Sequence, residues 1–255
     1  MEKVLLQEMS WYEVKQVLEV TDLAIVPLGA NEVYGKHLPL GSDTIVATEL
    51  AVRVAKKVGA IVTPPIAIGD SSSLRDFPGT LTTSLSVLTA YLKDCCESLI
   101  RHKFRRFFIV CGHLGNIPAV NSVASDLYEH ALFSMVDVWR YMARQAKGIV
   151  ETDCFPEGHA SEVGTSVLLA LRPDLVNMAL ATREVPPSKW ILSPDLRHLT
   201  IFGELTESGV IGDPTRSSAQ KGEEILKKAI NELSEFVGKF KQMDLRTPQP
   251  IQPKR

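Results

Sequence analysis

The chain has 255 residues, of which 45% are hydrophobic and 23% charged. This is enough to bury a sizeable core as one large α/β domain or two small ones, and it excludes disorder and a coiled coil. Its 28 basic and 30 acidic residues give a net charge of -2, so it lacks the positive field that nucleic-acid binding requires. The N-terminus does not form a signal peptide, and no window reaches the ~18 apolar residues of a membrane span. We therefore expect a cytoplasmic protein.

Short apolar runs alternate with helical patterns, which predicts βαβ units and a three-layer α/β/α domain with a mostly parallel sheet. We place this single domain at residues 1–245 and a proline-rich tail at residues 246–255. The predicted strands are residues 23–28, 61–62, 105–110 and 132–139. The predicted helices are residues 44–57, 85–102, 118–131, 161–171 and 217–240. Residues 185–212 are rich in proline and glycine, so loops with a short antiparallel excursion are expected there.

Two loops that follow predicted strands are rich in metal-binding side chains. The loop after residues 23–28 carries Glu32, His37 and Asp43, and the loop after residues 105–110 carries His113. Because functional residues collect at the carboxyl ends of parallel strands, we expect these two loops to meet. Carboxylate and imidazole ligands together suit Zn²⁺, Mn²⁺ or Fe²⁺.

A third loop presents His159 just before a helix and Glu162 in the first turn of that helix. Each loop also has a structural explanation. Asp43 could cap a helix, His113 could cap a turn, and Glu162 could belong to a capping box with Ser161. On the residue pattern alone, both explanations remain open.

These loops resemble those of the creatininase (creatinine amidohydrolase) family. The matching stretches are residues 26–43, 77–80, 112–116 and 158–166, with a weaker match at residues 209–214. The first is the most specific, because it combines a Pro-x-Gly strand end with a Glu-Val-Tyr-Gly-Lys-His-Leu-Pro loop and a following aspartate. The resemblance implies a three-layer α/β domain, usually in a homo-oligomer, with a divalent-metal site that hydrolyses small amides.

The resemblance also implies roles for individual residues. Glu32, Asp43 and His113 match metal-ligand positions, and Asp43 matches the ligand that bridges two ions. His159 matches a histidine that transfers protons. Glu162 matches the first glutamate of a His-Ala-Gly-Glu-x-Glu-Thr-Ser motif and is expected to be a further ligand or a base.

Three positions depart from the family pattern. Tyr34 stands where the family has a ligand histidine, Gly164 stands where a second glutamate is usual, and Gly115 replaces a glutamate ligand of creatininase itself. These losses fall on the side of the second ion. We therefore expect a single ion or a weakly occupied second site, with Glu162 or His37 completing the coordination of the first.

The sequence thus predicts a divalent-metal-dependent hydrolase of a small cyclic substrate, in which water attacks a carbonyl group and an amide C–N bond is cleaved. Zn²⁺ is the first choice, Mn²⁺ and Fe²⁺ are alternatives, and no organic cofactor is expected. Two alternatives stay open. One is hydrolytic C–C ring opening of a small, inositol-derived carbocyclic diketone, and the other is a metal-containing binding protein without catalysis.

Six side chains are assigned to catalysis or substrate binding. His159 and Glu162 are expected to handle protons, because histidine titrates near neutrality and a leaving amine must be protonated. Tyr34 is expected to donate a hydrogen bond to the oxyanion. The expected substrate contacts are Lys36, His37 and Trp139.

Overall fold

A computed structural model describes residues 3–186 and 200–245 of the chain. In this part of the chain, four parallel strands form one sheet in the order β2, β1, β3, β4. They are β1 (Leu23–Leu28), β2 (Ile61–Val62), β3 (Arg106–Cys111) and β4 (Leu132–Asp137). The parallel sheet that the sequence predicted is therefore confirmed.

Helices cover both faces of the sheet. They are α1 (Trp11–Val17), α2 (Ser42–Val58), α3 (Leu85–Arg101), α4 (Ile117–Leu127), α5 (Val138–Gln145), α6 (Glu162–Leu171) and α7 (Ala219–Lys241). Helices α3 and α4 pack on one face with α1 beside them, whereas α2, α5, α6 and α7 pack on the other. This arrangement confirms the predicted three-layer α/β/α architecture.

Successive side chains of the central strands contribute to two separate cores. On β3, Phe108 and Val110 pack against α2 and α7, whereas Phe107 and Ile109 pack against α3 and α4. All four are almost fully buried. A strand that is buried on both faces has a continuous apolar sequence, which is why β1 and β3 were recognisable from their residues.

The structure corrects one element boundary and adds one helix. The strand predicted at residues 132–139 ends at Asp137, whose carboxylate accepts a hydrogen bond from the Arg140 amide and caps α5. Trp139 therefore lies in the first turn of a helix. Helix α1 was not predicted either, although Ser10 and Glu13 form a capping box at its start.

Some predictions fall partly or wholly outside the described residues. An antiparallel bridge joins Glu184, just before the proline- and glycine-rich stretch, to Gly212 at its end, while residues 187–199 lie outside the described residues. The predicted tail at residues 246–255 also lies outside it. Among the helices that the structure does describe, none has both the length and the apolar character of a membrane span.

The strand order creates a crevice between two loops. From β1 the chain crosses to β2 on one side, and β3 then lies on the other side of β1. The loops after β1 and β3 consequently diverge at their shared edge. Ligand sites of open α/β sheets form at such a reversal of strand order.

Candidate metal centre

Three predicted metal ligands lie together at the carboxyl edge of the sheet. Glu32 is on the loop after β1, Asp43 is in the first turn of α2, and His113 directly follows β3. Nδ1 of His113 lies 3.1 Å from Oε2 of Glu32 and 3.5 Å from Oδ2 of Asp43. One ligand atom from each residue lies within 4.8 Å of the other two, and all three side chains are buried. A single divalent cation can span this spacing.

Neighbouring groups fix the orientation of all three side chains. Nε2 of His113 donates to the carbonyl oxygen of Asp70 at 2.9 Å, which leaves Nδ1 facing the carboxylates. The Ser71 hydroxyl donates to Oε2 of Glu32. Nε1 of Trp139 donates to Oδ1 of Asp43 at 2.8 Å. Outer contacts of this kind are what orient the ligands of protein metal sites.

The cluster concentrates negative charge in a buried place. Burial raises the pKa of Asp43, and the Glu32 charge raises it further against hydrogen bonds from His113 and Trp139. Burial also opposes ionisation of Glu32, but the imidazoles of His113 and His159 beside it lower its pKa to about 2. Nδ1 of His113 either shares a proton with the carboxylates or offers its lone pair to a cation. A cation that replaces this proton fits the donor set.

His159 adds a free nitrogen beside this cluster. Its Nδ1 donates to the carbonyl oxygen of Gly209 at 2.9 Å, so Nε2 is the atom that faces the cluster. Nε2 lies 3.5 Å from Oε1 of Glu32 and is buried without a hydrogen-bond partner among the described residues. A buried polar atom without a partner is costly in a fold, which favours a functional role for this nitrogen.

Aromatic rings form one wall of the site. Tyr34 stacks on Trp139 with ring centroids 5.4 Å apart, and it meets the His159 ring edge-on at 4.6 Å. Burial, followed by the Asp43 and Glu32 charges, raises the pKa of Tyr34 well above its ordinary value. Tyr34 is therefore a neutral phenol that keeps its hydroxyl hydrogen.

The wall and the cluster together enclose a pocket of about 300 Å³. Trp139, one of the predicted substrate contacts, lines this pocket, and so do Leu74, Leu114 and Phe202. The sequence analysis did not assign the last three. Phe202 packs edge-on against His159 with centroids 4.7 Å apart, from a loop far away in the chain. No local pattern marks such a residue.

Glu162 does not join the site. It is fully buried, and its carboxylate accepts hydrogen bonds from the backbone amides of Glu151 and Thr152 and from Nζ of Lys221 at 2.7 Å. Ser161 occupies the cap position of α6 without a side-chain cap bond, so the capping-box alternative is wrong as well. The structure therefore gives Glu162 a role in holding the loop that precedes α6, in place of the expected ligand or base.

The other two expected substrate contacts lie away from the pocket. Nε2 of His37 is 2.8 Å from the Thr165 hydroxyl, which itself donates to the carbonyl oxygen of Ala160. His37 is buried, and burial lowers its pKa to about 4. Lys36 is exposed and does not line the pocket. His37 is thus a link between the β1 loop and α6, and it does not complete the coordination shell.

A parallel α/β fold with a buried carboxylate and imidazole cluster at a pocket is typical of metal-dependent hydrolases. A family model described as creatininase, creatinine amidohydrolase, matches residues 7–237. A mycofactocin precursor peptide peptidase of Mycolicibacterium smegmatis is 31% identical over 225 residues, which are 85% of each chain. A 3-dehydro-scyllo-inosose hydrolase of Thermotoga maritima is 27% identical, with 92% of this chain and 82% of the relative covered.

The chain therefore belongs to the creatininase family. A crystal structure of creatinine amidohydrolase shares its fold with a TM-score of 0.82 at 22% identity, covering 96% of this chain and 100% of the other. The predicted family and fold are confirmed. The predicted enzyme class, a hydrolase, is that of the relatives.

Proposed function

We propose that this protein is a divalent-metal-dependent amidohydrolase that cleaves a C–N amide bond of a small substrate. The observation that carries the proposal is the convergence of three ligand side chains with an unpartnered histidine nitrogen beside them. Glu32, Asp43 and Nδ1 of His113 face each other, and the unpartnered Nε2 of His159 lies beside them at the wall of the pocket. A ligand set of two carboxylates and one imidazole suits Zn²⁺, which is the first choice, and also Mn²⁺ or Fe²⁺.

A divalent ion in this cluster supplies charge that polarises a carbonyl group and lowers the pKa of water. The protein supplies the proton transfers. His159 is held by Gly209, so its Nε2 takes a proton from the attacking water and delivers it to the leaving nitrogen. An amine cannot leave as an anion, which makes this delivery necessary for amide cleavage.

Tyr34 is positioned to stabilise the transition state. Its phenol interacts with the backbone amide of Ala160 and keeps its own hydrogen. That hydrogen is available to an oxyanion that forms in the pocket, because Tyr34 lines the pocket beside Asp43 and Glu32. Trp139 buttresses the Tyr34 ring and contributes an apolar surface for the substrate.

The pocket volume of about 300 Å³ suits a small ring or the end of a short peptide. Small cyclic amides are the first substrates that we propose, and the peptidase relative makes short peptides the next class to test. We propose a homo-oligomer in the cytoplasm, and light scattering of the purified chain will test the oligomeric state.

Hydrolytic C–C ring opening is the second candidate, favoured by the similarity to 3-dehydro-scyllo-inosose hydrolase. The same site would then polarise a ketone, and the leaving group would be an enolate carbon. The two reactions differ in their products. Amide cleavage yields an amine and a carboxylate, whereas ring opening of a diketone yields a carboxylate and a ketone, formed when the enolate carbon is protonated, and no amine.

The test is hydrolysis by the full chain after chelation, dialysis and reloading with Zn²⁺, Mn²⁺ or Fe²⁺. The panel contains small cyclic amides, short peptides and carbocyclic diketones, and new amines and carboxylates are quantified separately. We expect metal-dependent release of an amine. His159→Gln should keep the metal and lose about 100-fold or more in rate.

A histidine remote from the site is the matched control. His102 is exposed at the end of α3, so His102→Gln should leave the rate unchanged. If new carboxylates form without new amines, the reaction is ring opening and the proposed amide cleavage is wrong. A reloaded protein that holds no metal would contradict both reactions and leave the fold as a binding module.

A further inference from the structure

The side of the metal cluster that faces His113 differs from the side that faces Tyr34 and Trp139. The first difference concerns the two oxygens of Asp43. A carboxylate that bridges two cations uses both of its oxygens. Here Oδ2 of Asp43 faces His113 at 3.5 Å, but Oδ1 accepts the indole N–H of Trp139 at 2.8 Å. A donor hydrogen on Oδ1 is incompatible with a cation along the same direction. Asp43 is therefore set up to bind with one oxygen.

The second difference is the space beside that oxygen. Tyr34 is almost fully buried there and packs against Trp139 and His159. A Cβ atom built on Gly164 would lie 2.5 Å from the Tyr34 hydroxyl oxygen and 3.1 Å from Cε1 of its ring. The phenol thus occupies the volume into which any side chain at position 164 would point. The position of the Tyr34 ring therefore requires a glycine at position 164.

The third difference is at Gly115, on the loop after β3. A Cβ atom there would lie 2.2 Å from the carbonyl oxygen of Asp70 and 2.6 Å from Nε2 of His113. That same carbonyl accepts the His113 hydrogen bond that orients the cluster. Because the obstacle is backbone, no ligand side chain fits at position 115 while His113 keeps its orientation.

We infer that this site binds one divalent ion per chain, held by Glu32, Asp43 and His113, and that Tyr34 and Trp139 fill the place of a second. Charge balance agrees with this count, since two carboxylates neutralise one divalent cation. A second cation would lie uncompensated against two aromatic rings in a buried place. The inference rests on the proposed metal-dependent function and specifies its ion count.

A consequence concerns the substrate. The wall formed by Tyr34 and Trp139 presents a neutral ring surface and a phenol hydrogen, where a second cation would present positive charge. Such a wall favours an uncharged, flat group over an anionic one. The Tyr34 hydroxyl would then donate to the carbonyl oxygen of a substrate bound beside the cation site.

The experiment is metal counting on the full chain, with Mn²⁺ as the probe. Protein stripped by chelation is dialysed against excess Mn²⁺ and then freed of unbound metal. Mass spectrometry gives the number of ions per chain. Electron paramagnetic resonance distinguishes isolated Mn²⁺ ions from magnetically coupled pairs of Mn²⁺ ions. We expect one ion per chain and an uncoupled six-line spectrum, both lost in Glu32→Gln.

Variants test which residues set the count. Tyr34→Phe keeps the ring volume and should stay at one ion. Tyr34→His combined with Gly164→Glu and Trp139→Phe introduces two ligand side chains, frees Oδ1 of Asp43 and should gain a second ion with a coupled spectrum. A folded triple variant that stays at one ion would overturn the assignment of this space to Tyr34 and Trp139.

The wild-type measurement decides the count by itself, even if a variant does not fold. Two coupled ions per wild-type chain would overturn the inference and leave the proposed hydrolase standing. The absence of any bound ion, with Zn²⁺ as well as Mn²⁺, would contradict the proposed function and the inference together. One uncoupled ion supports both.

Discussion

Glu32, on the loop after β1, and Glu162, at the start of α6, are both buried carboxylates. The groups that contact them differ. Glu162 accepts two backbone amides and the Lys221 ammonium group, so its charge is compensated within the fold. Glu32 accepts one hydroxyl hydrogen, from Ser71, and otherwise faces the imidazole nitrogens of His113 and His159. The charge of Glu162 is neutralised by the fold alone, whereas the charge of Glu32 is not.

The difference separates structure from function. A buried charge that the fold itself neutralises stabilises the loops that it joins, and its loss leaves partners unpaired. A buried carboxylate that the fold does not neutralise, and that faces imidazole nitrogens, can serve as a ligand for a cation. The same residue type thus has opposite roles that only its neighbours reveal.

The largest expected effect comes from Glu32→Gln. Removing this carboxylate takes away a ligand, so the affinity for Zn²⁺ or Mn²⁺ should fall by more than about 100-fold, beyond the range of outer-shell changes. Hydrolysis should fall in parallel. The metal-free chain should also lose some stability, because the fold favours the Glu32 charge through the neighbouring imidazoles. Titration calorimetry with the metal and urea unfolding of the stripped protein give the two numbers, and unchanged affinity would contradict the ligand role.

Glu162→Gln should give the reverse result. The free energy of unfolding should fall by about 3 kcal/mol, since Lys221 loses its buried partner. Metal affinity of the folded protein should stay within about threefold. Lys221→Met should have a similar effect, and the double variant should cost less than the sum, because the two changes remove one interaction. Additive losses in urea unfolding would refute the pairing.

Asn116→Ala tests the support behind His113. The buried Asn116 amide accepts from the Asp70 backbone N–H at 3.0 Å and donates to the Gly29 carbonyl at 2.8 Å. It thereby holds the backbone of Asp70, whose carbonyl oxygen orients His113. Metal affinity should fall by about 10 to 100-fold. The exposed Asn231→Ala is the matched control, and equal affinities in the two variants would argue against this support.

The smallest effect is a pH dependence of stability that arises at His37. Its pKa is about 4 in the fold, lowered by burial, against about 6.5 when unfolded. Between these values the unfolded chain binds more protons, so stability is full above about pH 7 and decreases as the pH falls. Metal-free protein should lose about 1 kcal/mol between pH 7.5 and pH 5.5 through this group, allowing for solvent screening.

His37→Gln is the control for that pH effect. Glutamine can still donate to the Thr165 hydroxyl but does not titrate, so the variant should show a flatter profile over the same interval in urea unfolding. Profiles of equal slope would mean that other groups cause the acid sensitivity.

The sequence by itself determined the sheet and the principal ligands. Strands β1 and β3 are continuous apolar runs because both faces of a parallel sheet are buried, and this pattern is visible in the residues alone. The strand pattern alone predicted that the loops carrying Glu32, His37, Asp43 and His113 meet, since the ends of such strands lie at one edge. The resemblance to the creatininase family then selected Glu32, Asp43 and His113 as the ligand positions.

Tertiary structure decided everything that depends on long-range pairs. The roles of Glu162 and Trp139 are fixed by Lys221 and Asp43, and the space at Gly164 is fixed by Tyr34. Periodicity encodes which side of an element is buried, but it does not encode which distant group lies opposite. A carboxylate therefore reads identically in sequence whether the fold neutralises it or leaves it for a metal ion.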